Sequence, residues 1–316
     1  MSPWQFIVEK EAKGIETALL YVLESVGSSP GRQGFHMALS RDGDLCGSIG
    51  GGIMEHKFVE LARSGFLQEK REGIFRQVHD KRAGEQHSGM ICSGEQTIFL
   101  HYTLPGDMPA VTAIAEDLSL FRQGTLRISN NGISYFHSAD PNTPFSFLKG
   151  SGDDFIYLER TGLKNIIHVI GGGHCSLAFC KLMREMDFYI HVYDDRTDLN
   201  TMESNVFAHE RHILRSYGEL QDKIHDGENV YAVIMTFGYR SDDIAVRAIL
   251  DKKIKYLGLL GSANKIKKMF AAFEEGGIET AKLARIHSPV GIHIHSQTPA
   301  EIAVSIAAQI IQVKNQ

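Results

Sequence analysis

Residues 168–179 read HVIGGGHCSLAF. An apolar, β-branched run, NIIHVI (165–170), meets Gly171-Gly172-Gly173 and passes into a stretch with helical periodicity. About twenty residues later a second apolar run, YIHVYD, ends at Asp194-Asp195. Strand, Gly-x-Gly, helix, strand, acid is the order of the dinucleotide-binding fingerprint. Gly171 permits the tight turn, and Gly173 lets a pyrophosphate approach the backbone. The N-terminus of the helix that follows offers free N–H donors and a partial positive charge. Asp194 or Asp195 would accept from a ribose diol, while Arg196 beside them leaves a 2′-phosphate open. Ser176 replaces the third glycine, a small residue where helix and strand pack closely. NAD, FAD and other dinucleotides all satisfy this pattern, and glycines that serve packing alone would also produce it.

Working outward, YAVIMTF (231–237) and YLGLL (256–260) are further short apolar strands, with SLAFCKLMREM, DIAVRAILDKK and NKIKKMFAAFEEG as helices between strands. Nearly continuous apolar strands alternating with helices predict a parallel sheet covered on both faces. YLGLL leads into Gly261-Ser262 before a helix, and ligands in such sheets sit beyond the strands' carboxyl ends, so these two residues either join the candidate crevice or make a plain strand–helix turn. The last helix carries its own start signal: Thr298 at the N-cap, Pro299 at the first helical position and Glu301 completing a capping box. The expected fold is α/β, with a Rossmann-like parallel sheet over 161–316 and a smaller N-terminal α/β domain over 1–160.

In that N-terminal half, residues 9–26 (EKEAKGIETALLYVLESV) carry apolar residues at Ile15, Leu19, Tyr21, Leu23 and Val26, which fits an amphipathic helix better than alternation. FHMALS and LCGSIG flank Asp42-Gly43 as a hairpin, and TLRIS and ISYFHS flank Asn130-Asn131-Gly132 as another. IFRQVH, EQTIFLHY and DFIYLER are strands, with a short helix around 111–121 between the last two. A second Gly triplet, Gly50-Gly51-Gly52, opens the helix IMEHKFVELARSGF. It lacks the second-strand acid of a dinucleotide site but can form a nest of N–H groups for an anion. Glu55, in the first turn, either steadies the helix dipole or accepts from a heterocycle.

Cys92 lies between glycines in GMICSGE, where nearby N–H groups would lower a thiol's pKa. It is the best candidate for a reactive or metal-ligating thiolate, with an inert packed thiol as the competing reading. Cys46, Cys175 and Cys180 read as structural, and His293 and His295 form the one local His pair. With 316 residues, 43% apolar, 22% charged and a net charge of −5, the chain predicts a packed core. It shows no basic stripe for nucleic acid and no membrane-spanning run. The N-terminus lacks an apolar h-region, so a cytoplasmic protein is expected.

Taken together, GSSPGRQG, GSIGGGIMEHKF, GMICSGE, HVIGGGH, VYDDR, VIMTF, YLGLLGS, HSPVGI and TPAEIAVSI resemble, in order and spacing, the xanthine dehydrogenase accessory factor family, XdhC/CoxI. The resemblance implies a small N-terminal α/β domain followed by a Rossmann domain. It implies a protein that binds molybdopterin-type molybdenum cofactor, in simple or dinucleotide form, and assists its sulfuration and insertion into a xanthine dehydrogenase-type molybdoenzyme of purine catabolism. A cysteine desulfurase and a second copy of the chain are further implied partners. By the same resemblance Cys92 is the metal- or sulfur-handling residue, with Glu55 beside it in the chemistry. Gly50, Gly51 and Gly52, with Cys92 close by, would line a cleft. Gly171, Gly173, His174, Asp194, Gly261 and Ser262 would bind the cofactor. The chain departs from the family at Ile53, where Cys or His is common, and at Ser93, where the family has Gly. The readings in competition are an NAD(P)-dependent oxidoreductase with His174 or Tyr239 as proton donor, and a dinucleotide-binding redox sensor.

Overall fold

Residues 17–26, part of the stretch 9–26 expected to be helical, lie in the central strand of the N-terminal half. The helix, α1 (Pro3–Glu11), lies before them, and Gly14 at φ +70° separates it from β1 (Thr17–Gly27). The misreading has a physical cause. Ala18 to Leu23 are all at most 1% exposed, because Ala18, Leu20 and Val22 enter one core while Leu19, Tyr21 and Leu23 enter another. A strand buried on both faces carries no polar–apolar alternation.

A computed structural model describes residues 1–68, 72–78, 94–138, 145–150, 154–162, 165–186 and 188–316. The chain divides into two units, Met1–Gly162 and Leu163–Gln316. In the first, the order continues with β2 (His36–Ser40), β3 (Leu45–Gly47), α2 (Gly52–Gly65), β4 (Gly73–Val78), β5 (Gly94–Tyr102), α3 (Met108–Ser119), β6 (Gly124–Ser129), β7 (Gly132–Phe136), β8 (Phe145–Lys149) and β9 (Phe155–Thr161). The strands make two antiparallel sheets, β3-β2-β1-β5-β4 and β7-β6-β9-β8. Both expected hairpins are present. One face of the first sheet packs on α2 through Met54, Phe58, Val59 and Ala62. The other packs on Trp4, Phe6 and Ile7 of α1, Val111 and Ile114 of α3, and Leu126, Ile128 and Tyr157 of the second sheet.

Asp107 ties this second core together. Its buried carboxylate accepts from the Leu104 and Ile133 amides, both at 2.9 Å, and lies 2.7 Å from His101 Nε2. Burial pushes the carboxyl's pKa up, but His101 and the two amides outweigh it and hold it below the usual range. A depressed carboxyl contributes stability that is complete above its unfolded pKa, about 3.9, and is lost as pH falls toward the folded value. The only tryptophan, Trp4, is buried in this unit and reports on it. Trp4 fluorescence in denaturant should show unit stability falling below about pH 4. Asp107→Asn should flatten part of that fall and cost about 3 kcal/mol at pH 7, because it leaves buried donors unpaired.

The second unit runs β10 (Asn165–Ile170), α4 (His174–Met183), β11 (Phe188–Asp194), α5 (Asn200–Glu203), β12 (Glu210–Ile213), a 3₁₀ turn (Tyr217–Glu219) leading into α6 (Leu220–Lys223), β13 (Gly227–Ile234), α7 (Tyr239–Ile249), β14 (Ile254–Leu259), α8 (Ala263–Glu275), α9 (Thr280–Leu283), β15 (Ile286–His287) and α10 (Pro299–Lys314). All six strands are parallel, in the order β12-β11-β10-β13-β14-β15. The order reverses between β10 and β13, which makes that point the crevice of a doubly wound sheet. Ile167, Val169, Ile190 and Val233 face α4 and α10. Ile170, Ala232, Ile234 and Leu259 face α6, α7 and α8. The expected capping box of α10 is formed by Thr298 and Glu301. Among the described residues no helix is long and apolar enough to cross a membrane.

Candidate functional site

At the switch point each glycine of the second triplet has a different task. Gly171 sits at φ +109°, and a Cβ there would lie 2.4 Å from the Met235 carbonyl oxygen. Its N–H donates to the Tyr193 carbonyl at 2.7 Å, which locks the turn against β11. Gly172 is buried under α5: a Cβ would meet Met202 Sδ at 3.0 Å and Leu199 Cδ2 at 3.2 Å. Its N–H donates to Asp194 Oδ2 at 2.7 Å, and its carbonyl accepts from Thr201 Oγ1 at 2.5 Å. Gly173 is the open one. It is the N-cap of α4 at an ordinary φ of −75°, with no capping side chain, and nothing lies within 4 Å of where a Cβ would stand. His174 follows it, exposed, as the first helical residue.

Asp194 corrects a sequence expectation. It is fully buried, and protein donors fill its carboxylate. Oδ1 accepts from the Arg196 amide at 3.0 Å and Arg196 Nε at 2.8 Å, and Oδ2 accepts from Gly172 and from Arg196 Nη2, both at 2.7 Å. Burial raises the carboxyl's pKa, and the guanidinium and two amides more than reverse that. Asp194 therefore holds the glycine loop in place and has no lone pair left for a ribose diol. The exposed acid there is Asp195.

Sequence reasoning missed Phe237. VIMTF reads as strand interior, yet β13 stops at Ile234, and Phe237 projects with 89% of its surface exposed. The Arg196 guanidinium lies 5.7 Å from its ring centre. Gly172, Asp194, Arg196 and Phe237 thus form a continuous chain of contacts at the crevice mouth, with Tyr239 at the start of α7.

The turn after β14 is more closed than expected. The Ser262 hydroxyl accepts from the Lys265 amide at 3.3 Å as the N-cap of α8. A Cβ on Gly261 would touch Lys265 and Ile266 at 3.3–3.4 Å. Lys265 pairs with buried Asp242, which also accepts from Thr236 Oγ1 at 2.5 Å. Ser262 serves its own helix first.

The first triplet is a nest already filled from within. Gly50, Gly51 and Gly52 have φ of +127°, +75° and +72°, a run of left-handed backbone that explains three consecutive glycines. Glu55 Oε2 accepts from Ser48 Oγ at 2.6 Å, the Ile49 amide at 2.9 Å and the Gly51 amide at 3.0 Å, while the Gly50 amide donates to Ser48 Oγ. The anion of this nest is the protein's own carboxylate. The expected external anion site at Gly50 to Gly52 is thereby corrected, and of Glu55 only Oε1 stays outside these bonds. Gln96 Nε2 bridges the Gly31 and Ile49 carbonyls and clamps the neighbouring loop onto this one.

Cys92 and Ser93 lie outside the described residues. Of the other thiols, burial pushes Cys180 up to about 11 and also raises Cys175 and Cys46, which suits inert packing. His293 and His295 stand 4.3 Å apart, ring centre to ring centre.

The model of the XdhC Rossmann domain matches residues 167–310, and that of the XdhC and CoxI family matches residues 11–77, together about two thirds of the chain. The uncharacterized protein YqeB of Escherichia coli K12 is 24% identical over 309 residues, covering 96% of this chain and 45% of that protein. A probable xanthine dehydrogenase subunit of Bacillus subtilis 168 is 27% identical over 164 residues, 50% of this chain and 46% of that protein. The chain thus spans just under half the length of the curated relatives it matches. A crystal structure of a xanthine dehydrogenase from Bacillus halodurans superposes with a TM-score of 0.73 at 21% identity, over 100% of this chain and 96% of that one, and so shares the fold. With matching models in both its halves and a Rossmann sheet where the Rossmann-domain model falls, the chain belongs to the XdhC and CoxI family.

Proposed function

We propose that the protein is an accessory factor for a xanthine dehydrogenase-type molybdoenzyme, and that its second unit holds a phosphate-bearing molybdopterin-type cofactor at the β10–β13 switch point. The observation that carries this reading is the open backbone at Gly173. An uncapped helix start faces free space that a Cβ would occupy, so a ligand oxygen can reach the amides of α4. The fit extends to the ring system. Phe237 presents an exposed face beside the Arg196 guanidinium, a flat surface for a fused heterocycle. Asp194 fixes both the loop and Arg196, so the anion site and the stacking surface are held in one arrangement. The name of the Bacillus subtilis relative and the two family models support the choice of partner enzyme. The bound group would supply the molybdenum and its dithiolene, and this chain would supply binding, shielding and delivery. Cys92 is the proposed residue for handling sulfur during maturation, with a cysteine desulfurase as its donor.

The test is co-expression of a xanthine dehydrogenase-type enzyme with and without this chain. Active, sulfurated enzyme should accumulate only with the chain, and Cys92→Ala should lower the sulfurated fraction while cofactor still co-purifies. Equal activity without the chain would contradict the reading. Hydride turnover with NADH by the chain alone would favour an oxidoreductase.

A further inference from the structure

His191 and His212 stand on one face of the parallel sheet with Glu210, at its β12 edge. In the β11–β12 register His191 pairs with Glu210 and Tyr193 with His212, so residues two apart on each strand bring these side chains together. Their ligand atoms converge. His191 Nδ1 is 3.2 Å from His212 Nε2, Glu210 Oε2 is 3.7 Å from His191 Nδ1, and it is 3.4 Å from His212 Nε2. Among the described residues this is the one group of three or more such ligands.

We propose that His191, Glu210 and His212 bind a divalent first-row transition-metal ion, with zinc the best fit. Bonds of about 2.0–2.1 Å in a tetrahedron separate ligand atoms by roughly 3.4 Å. The three observed separations bracket that edge. A facial octahedral set with similar bonds would draw the atoms to about 3.0 Å. Hydrogen bonding accounts for the pair of imidazoles, but it leaves Glu210 Oε2 unexplained, since that oxygen is too far from either nitrogen for a strong bond. It is aimed there by its own neighbour, because Tyr189 Oη donates to Oε1 at 3.0 Å. The two imidazoles are positioned as well. His191 stacks on His168 at 5.0 Å, and His212 stacks on Tyr193 at 4.7 Å. Orientation of the ligands by such neighbours is what a metal site requires.

The side chains of His191, His212 and Glu210 are 17%, 27% and 44% exposed. The metal can therefore enter from solvent, and a fourth position remains for water or a small anion. Two imidazoles and one carboxylate with an open position suit zinc better than calcium or magnesium, which prefer oxygen. The cluster is independent of the cofactor reading, since none of its three residues belongs to the Gly173 crevice.

Tag-free full-length protein, stripped with chelator and dialysed, is titrated with Co²⁺ and then Zn²⁺. The expected result is one equivalent of cobalt with the visible absorption of a four-coordinate ion, displaced by one equivalent of zinc. His212→Ala and Glu210→Gln should each weaken binding at least tenfold, with circular dichroism unchanged because both side chains reach the surface. His293→Ala should bind as the parent does. Absence of stoichiometric binding, or binding that both ligand variants retain, would overturn the proposal.

Discussion

Gly171→Ala is expected to destabilise the second unit by about 4 kcal/mol, through backbone strain and a clash that no side-chain rotamer relieves. At φ +109° an alanine is strained in any surroundings. Its methyl would also lie 2.4 Å from the Met235 oxygen and 2.7 Å from the Met235 carbonyl carbon, both backbone atoms. Relief requires moving β10 away from β13, yet the Met235 amide donates to the Ile170 carbonyl at 2.7 Å across that seam. A loss of this size lowers the melting temperature by roughly 10 °C for a unit of this length. Trp4 lies in the first unit, so hydrogen exchange of β10 and β13 amides is the appropriate readout. Unchanged exchange in that pair of strands would contradict the steric account.

Much of the second unit was legible because its central strands are short, β-branched and buried on both faces, a pattern that flanking glycines and caps delimit. β12 was not legible: Glu210 to Ile213 is a four-residue edge strand with three polar side chains and no apolar run. The candidate metal cluster was hidden for the same reason, since Glu210 and His212 meet His191 only once the register is known. In the first unit, double-sided burial disguised β1 as a helix. The site was readable as a loop, less so as chemistry. A fingerprint acid normally faces the ribose, but the arginine two residues on captures Asp194 in a fork that sequence spacing does not reveal. Likewise, Glu55 is near enough to fill its own glycine nest, which its place in the first turn does not by itself convey. Phe237 escaped notice because an aromatic residue at the end of an apolar run looks like core until the strand is seen to stop before it.

Gly173→Asp separates folding from binding. Nothing crowds a side chain there, and φ of −75° suits any residue. Aspartate is also a strong N-cap, so α4 should be as stable as before or gain a few tenths of a kcal/mol. The same carboxylate would occupy the space where the proposed ligand's phosphate oxygen would approach, and its charge would repel that ligand at close range. Binding should fall by at least a hundredfold, about 2.7 kcal/mol, with the fold intact. The most direct measurement is mass spectrometry of the small molecule released from the native protein and from Gly173→Asp, each purified from a host that makes molybdenum cofactor. A molybdopterin phosphate in the parent and none in an equally stable variant is the expected result. A nicotinamide dinucleotide in the parent, or the same pterin retained by Gly173→Asp, would contradict it.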